Sequence, residues 1–174
     1  MIFQLSEDEV WFPDPELASE DGLLAIGGDL SVQRLLLAYR SAIFPWFSEG
    51  DPILWYAPHE RFVLFPENLK ISASMLKVLR SGRFRITSDQ AFTEVISACA
   101  NSVRKDQEGT WITDTMKSAY IQLYNLGYAH SVEVWENDLL VGGLYGVQVN
   151  HVFCGESMFA RVSNASTVAL IYLC

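Results

Sequence analysis

The chain has 174 residues, half of them apolar and 13% aromatic, with a formal net charge of −9. This length and composition fit one globular domain, or one domain with a small extra lobe, and exclude a disordered chain. Taken alone, the acidic total also argues against nucleic acid.

The opening "MIFQLSEDEV" carries early acids and no basic stretch, so no signal peptide is expected. No window approaches 18 uninterrupted apolar residues, which disfavours a spanning helix. Cys99, Cys154 and Cys174 form no CxxC and are odd in number, so the expectation is reduced thiols in a cytoplasmic protein. Residues 1–60 are punctuated by "FPDPE", "DGLLAIGGDLS", "FPW" and "GDPILWYAPHE". A helix is predicted through "VQRLLLAYRS", capped by Asp29 or Ser31 and stopped by Pro45. This stretch reads as a small, turn-rich N-terminal domain, with a second domain over 61–174.

After Pro58 the pattern changes. "KISASMLKVLRSG" predicts a helix ending at Gly82, and "RFRIT" a short strand. "DQAFTEVISACANS" predicts a helix capped by Asp89, with Phe92, Val95, Ile96 and Cys99 on its inner face. "NSVRKDQEGT" reads as a polar loop. "TDTMKSAYIQLYNLG" predicts a helix capped by Thr113, with Met116, Ala119, Tyr120 and Leu123 inward and Gly127 just past its end. "AHSVEVW", "LLVGGLYGVQ" and "HVFCGESMF" are joined by hairpin-length connectors and predict an antiparallel meander. "SNASTVALIYLC" begins a last helix, with Ser163 or Asn164 as its cap. This order is α+β and resembles the acetyltransferase-type fold. The acyl-CoA enzymes of that fold follow the central strand with a glycine-rich loop that holds pyrophosphate. Here "ARVSNAS" has no glycine, which disfavours a CoA donor.

Charge is unevenly spread. Residues 1–60 hold eleven acids against Arg34 and Arg40, whereas six of the twelve basic residues fall between Arg61 and Arg85. Screening limits the repulsion of distant acids to about 8–10 Å, so this cluster can bind phosphate; an ordinary solvated face is the alternative. In the last predicted strand, strict alternation puts Val152, Cys154, Glu156 and Met158 on one face and Phe153, Gly155, Ser157 and Phe159 on the other. Glu156 must then be paired, for instance with Arg161, or grip a ligand's ammonium or hydroxyl group. Gly155 beside it can interrupt the pleat. Phe44, Trp46, Phe47, Trp55 and Tyr56 are either core or, on a loop, a stacking platform for a base, as is Trp111. His59, His130 and His151 share no metal spacing, and no zinc signature, nucleophile elbow or P-loop is found.

"DGLLAIGGDLS", "LLLAYRSAIFPWFSEGDPILWYAP", "EGTWIT", "GYAHSVEVW", "LVGGLYGV" and "FCGESMF…NAS" together closely resemble the bacterial leucyl/phenylalanyl-tRNA–protein transferases. The resemblance covers nearly the whole chain. It implies a small N-terminal domain and an acetyltransferase-like domain that takes aminoacyl-tRNA in place of acyl-CoA. It implies transfer of Leu, Phe or Met to the α-amine of proteins beginning with Arg or Lys, creating a degradation signal in the cytoplasm, with no metal or organic cofactor and no membrane. By position, Trp46 and Trp111 match residues that hold the terminal adenosine and aminoacyl end, and Glu156 matches the acid that contacts the donor. Leu144, Phe153 and Leu170 match the apolar amino-acid pocket, and Lys77, Arg80, Arg83 and Arg85 a region that grips the acceptor stem. Members of that family continue past the last helix into an Asp-Cys-Gln-type motif, so a C-terminally incomplete member is expected. A tRNA-end-binding module without catalysis is the alternative, and an acyl-CoA N-acetyltransferase a weaker one.

Overall fold

The computed structural model describes residues 2–102 and 111–174, so the expected polar loop at 101–110 lies largely outside the described residues. The described residues are mixed α+β, with two four-stranded sheets and five α-helices. Among the described residues, 2–62 and 111–123 make one compact unit, and 63–102 and 124–174 a second. Residues 111–123 therefore group with the N-terminal unit by contact, although they lie far along the chain.

The first unit contains a sheet that turn chemistry concealed in the sequence. Its strands are β1 (Phe3–Leu5), β2 (Leu23–Gly27), β3 (Phe44–Pro45) and β4 (Leu54–Tyr56), ordered β1-β2-β4-β3. β1 runs parallel to β2, and β4 is antiparallel to both β2 and β3. Trp55 is fully buried, and its Nε1–H donates to the Gly27 carbonyl at 2.8 Å. Gly27 and Gly28 both have positive φ, the conformation that lets the chain turn away from β2. Helix α1 (Val32–Arg40) is capped by Ser31, whose Oγ accepts the Arg34 N–H. It ends at Arg40, well before Pro45, because Ala42 takes a positive φ and the chain turns into β3. Arg34 is buried and donates from Nη2 to the carbonyls of Ser6 and Glu9, pinning the segment after β1 to α1.

In the second unit, α2 (Ala73–Arg80) leads to β5 (Arg85–Ser88), followed by α3 (Phe92–Ala100). Helix α4 (Asp114–Asn125) buries Met116, Ala119, Tyr120 and Leu123 as its period predicts, and Thr113 Oγ1 accepts the Met116 N–H. Most of α4 belongs to the first unit, where the Tyr39 and Tyr120 hydroxyls hydrogen-bond. The meander is β6 (Ala129–Glu136), β7 (Leu139–Val149) and β8 (Val152–Ala160), all antiparallel, with β5 added beside β6. Asn137 and Asp138 have positive φ in the β6–β7 turn, as a two-residue hairpin requires. Helix α5 (Ala165–Leu173) begins after Asn164, whose φ is +73° and whose side chain makes no capping bond.

Helices cover both faces of this sheet. On one, α5 buries Ala165, Val168 and Ala169 against Val132, Val134, Val141 and Leu144, and α2 packs against the same cluster through Met75, Val78 and Leu79. Each fully buried Val or Leu there contributes about 1.5–3 kcal/mol of transfer free energy. On the other, α3 buries Phe92, Val95, Ile96 and Cys99, and Phe92 meets Tyr145 edge-on. Asp89 does not cap α3: the N-cap is Ala91, and Ala91 N–H points at Glu133 of β6 (3.4 Å). Asp89, at φ +56°, is turned toward β6.

Candidate functional site

Glu156 sits where β8 breaks its own pattern. Gly146 of β7 pairs with Gly155, but the preceding Tyr145 pairs with Ser157, so Glu156 is the extra residue of a β-bulge. The bulge reverses the alternation. Residues paired across a sheet share a face. Met158, opposite Leu144, therefore lies on the α5 face, as do Phe153 and Gly155 before the bulge. Cys154, opposite Val147, lies with Ser157 and Phe159 on the α3 face. The single face expected for Val152, Cys154, Glu156 and Met158 is thus split, because alternation holds only while pairing is one to one. Glu156 is half-buried, and Gly155 beside it is exposed with open space where a Cβ would stand. Arg161, a candidate partner for Glu156 in sequence, donates to the Leu140 carbonyl and lies over the Phe159 ring.

The expected pocket residues are brought together. Leu144 is buried in the α5-face cluster, and Phe153 and Leu170 pack against it half-buried. Gly146 makes room for Phe153: a Cβ on Gly146 would lie 2.6 Å from that ring and 2.2 Å from the Cys154 carbonyl oxygen. A cleft of about 230 Å³ opens beside Phe153, bordered also by Asp89, His130, Gln148, Tyr172 and Leu173. The sequence offered neither as a site residue: Asp89 was expected to cap α3, and His130 shared no metal spacing with the other histidines. Their 41-residue separation gives no local signal; only the pairing of β5 and β6 brings them together.

The aromatic run divides as core and surface. Phe47 and Trp55 are buried, whereas Trp46 is 47% exposed and its ring stands 5.8 Å from that of Tyr56. Trp111 is half-buried at the bend before α4, in the same unit. The basic residues also differ from one another. Lys77 and Arg80 are exposed on the last turn of α2, and among the described residues neither is in an ion pair. Arg83 is engaged by Glu136 at 2.6 Å and Arg85 by Asp138 at 3.4 Å. The Arg83 hydrogen bond holds Glu136 below the usual carboxylate range, and the same bond raises Arg83. Among the described residues no group of three His, Cys, Asp or Glu is placed to hold a metal, and no helix is long and apolar enough to cross a membrane.

Comparison with known proteins settles the class. The sequence profile described as leucyl/phenylalanyl-tRNA protein transferase matches residues 63–174, and that of the N-terminal domain of the same proteins matches 28–59. A leucyl/phenylalanyl-tRNA–protein transferase of Syntrophus aciditrophicus is 60% identical over 162 residues, covering 93% of this chain and 68% of the relative. Proteins of the same name from an Anaeromyxobacter species and Flavobacterium psychrophilum are 55% and 56% identical, covering 94% and 95% of this chain and 69% and 78% of their own lengths. The protein is an aminoacyltransferase by class. The chain belongs to the leucyl/phenylalanyl-tRNA–protein transferase family.

Proposed function

We propose that this chain transfers Leu, Phe or Met from aminoacyl-tRNA to the α-amine of proteins that begin with Arg or Lys, marking them for degradation in the cytoplasm. The observation that carries this reading is family membership across both matched segments, at 60% identity to one relative. In this reading residues 1–60 form the small N-terminal domain, and the chain from 61 onward forms an acetyltransferase-like domain. The antiparallel meander with a bulge in its last strand and helices on both faces supports that description.

The roles are those of the matching positions in the family, and the chemistry of each position supports them. Leu144, Phe153 and Leu170 receive the amino-acid side chain; their apolar cluster favours Leu, Phe and Met, since a methylene more or less costs little and a polar side chain would lose its partners. Glu156, the extra residue of the bulge beside the exposed Gly155, holds the donor. Trp46 and Trp111 stack on the terminal adenosine. Lys77 and Arg80, with Arg83 and Arg85, neutralise acceptor-stem phosphates in a sequence-tolerant way. The aminoacyl ester is already activated, so positioning and stabilisation of the developing oxyanion supply the catalysis. The test is transfer of labelled leucine from Leu-tRNA to matched peptides beginning with Arg or Met. Label is expected on the Arg peptide alone; label on both, or on neither, overturns the reading.

A further inference from the structure

The second unit holds a titratable pair to which the proposed reading gives no task. His130 Nδ1 lies 2.8 Å from Asp89 Oδ2. An ionised carboxylate can only accept, so Nδ1 carries the hydrogen, and the neutral ring presents its lone pair at Nε2. Asp89 is held in place independently of the ring. Its Oδ1 accepts the Ser131 N–H at 2.8 Å, its own N–H donates to the Ser131 carbonyl, and its carbonyl accepts the Tyr124 hydroxyl. Anchoring of this turn therefore does not need the imidazole. Both side chains are about one-third exposed and border the cleft beside Phe153.

The sheet register places the pair near the donor residues. His130 pairs with Gly146, and Gly146 pairs on its other side with Gly155, so the three form one row across β6, β7 and β8. They share the α5 face with Val132 and Phe153. The two positions beyond His130 in this row carry no side chain, and the Phe153 ring covers the middle one. With strands about 4.8 Å apart, His130 and Gly155 stand roughly 10 Å apart at the backbone, with Glu156 next to the latter.

From this juxtaposition we propose that His130, oriented by Asp89, receives the α-amine of the acceptor protein and takes its proton. The proposal rests on the transfer reading above. The amine nitrogen forms a bond to the ester carbonyl carbon, and the carbon–oxygen bond to the terminal ribose breaks. The proton passes from the nitrogen to His130 Nε2 and from there to the departing ribose oxygen, with no other reactant required.

The test is made on the 174-residue chain by titrating a peptide beginning with Arg, and its Nα-acetylated twin, at pH 8.5 while observing the histidine ring nitrogens by NMR. The His130 signals are identified by their loss in His130→Ala. The free-amine peptide is expected to shift the His130 Nε2 signal and to bind about tenfold more tightly than the acetylated one, the worth of one such hydrogen bond. In His130→Ala the two peptides should bind alike. Asp89→Asn, which suits the left-handed backbone at that position, should narrow the preference while the protein stays folded by circular dichroism. Equal binding of both peptides to the wild type, no binding of either, or a preference that survives His130→Ala overturns the proposal. An intact preference in a protein that moves no label from Leu-tRNA counts against the transfer reading and supports the amine site.

Discussion

At the scale of single residues, a glycine without a side chain and a glycine beside an open site play opposite parts in neighbouring strands. Gly146 is buried under the Phe153 ring, whereas the Cβ direction of Gly155 meets nothing within 4 Å. Gly146→Ala is therefore expected to cost about 1–3 kcal/mol through overpacking and to displace Phe153. Gly155→Ala should leave thermal stability nearly unchanged. Calorimetry of the two variants checks the contrast, and equal losses would refute the face assignment around the bulge. Trp46 is the exposed ring of the aromatic run, so its removal should barely alter the melting temperature. Trp46→Ala should weaken Leu-tRNA binding by the worth of one stacked base, about 1–3 kcal/mol. A large loss of melting temperature with unchanged tRNA affinity would make the ring structural.

Among the elements, the junction of β5, β6 and α3 is organised by one buried acid. Glu133 accepts from Thr87 Oγ1 at 2.5 Å, Ser131 Oγ at 2.6 Å and Ala91 N–H at 3.4 Å, and it is fully buried. Thr87 Oγ1 in turn accepts the Trp135 indole N–H at 2.8 Å. Glu133→Ala strands these donors, and a loss of at least about 3 kcal/mol is expected. Amide exchange should show β5 opening first; a uniform change below 1 kcal/mol would mean the network is dispensable. At the start of α1, burial pushes the Asp29 carboxyl up, but the Ser31 hydroxyl and N–H and the Arg34 guanidinium outweigh it, leaving it below its ordinary range. A group depressed on folding stabilises above its unfolded pKa and loses that contribution as pH falls through the folded value. Asp29→Asn should thus flatten the decline in stability below about pH 4. An acid titration followed by circular dichroism measures this.

For the molecule as a whole, net charge and local charge point in different directions. The sum is −9, yet Lys77 and Arg80 project from α2 without an ion pair among the described residues. Lys77→Ala with Arg80→Ala is expected to lower tRNA affinity and to reduce the salt slope by roughly 2. Unchanged affinity at low salt would remove the acceptor-stem assignment. Glu136→Gln frees Arg83 from its carboxylate and should move affinity and slope the opposite way. Filter binding across a salt series measures both variants.

Helices and the meander were legible because their signals are local. The buried sets of α3 and α4 follow the 3.6-residue period, and hairpin connectors joined β6, β7 and β8. The sheet of the first unit was not legible, since strands of two to five residues between Pro and Gly carry too few alternations to register. Family and the α+β class were thus determined by sequence alone, through long distinctive strings and local periodicity. Three things were decided only in the tertiary structure: the bulge at Glu156, the buried Glu133 that accepts the Ala91 N–H at the start of α3, and the meeting of Asp89 with His130. Each depends on which residue of a distant strand stands opposite. That register is fixed by burial of whole faces and leaves no mark in the few residues around the site.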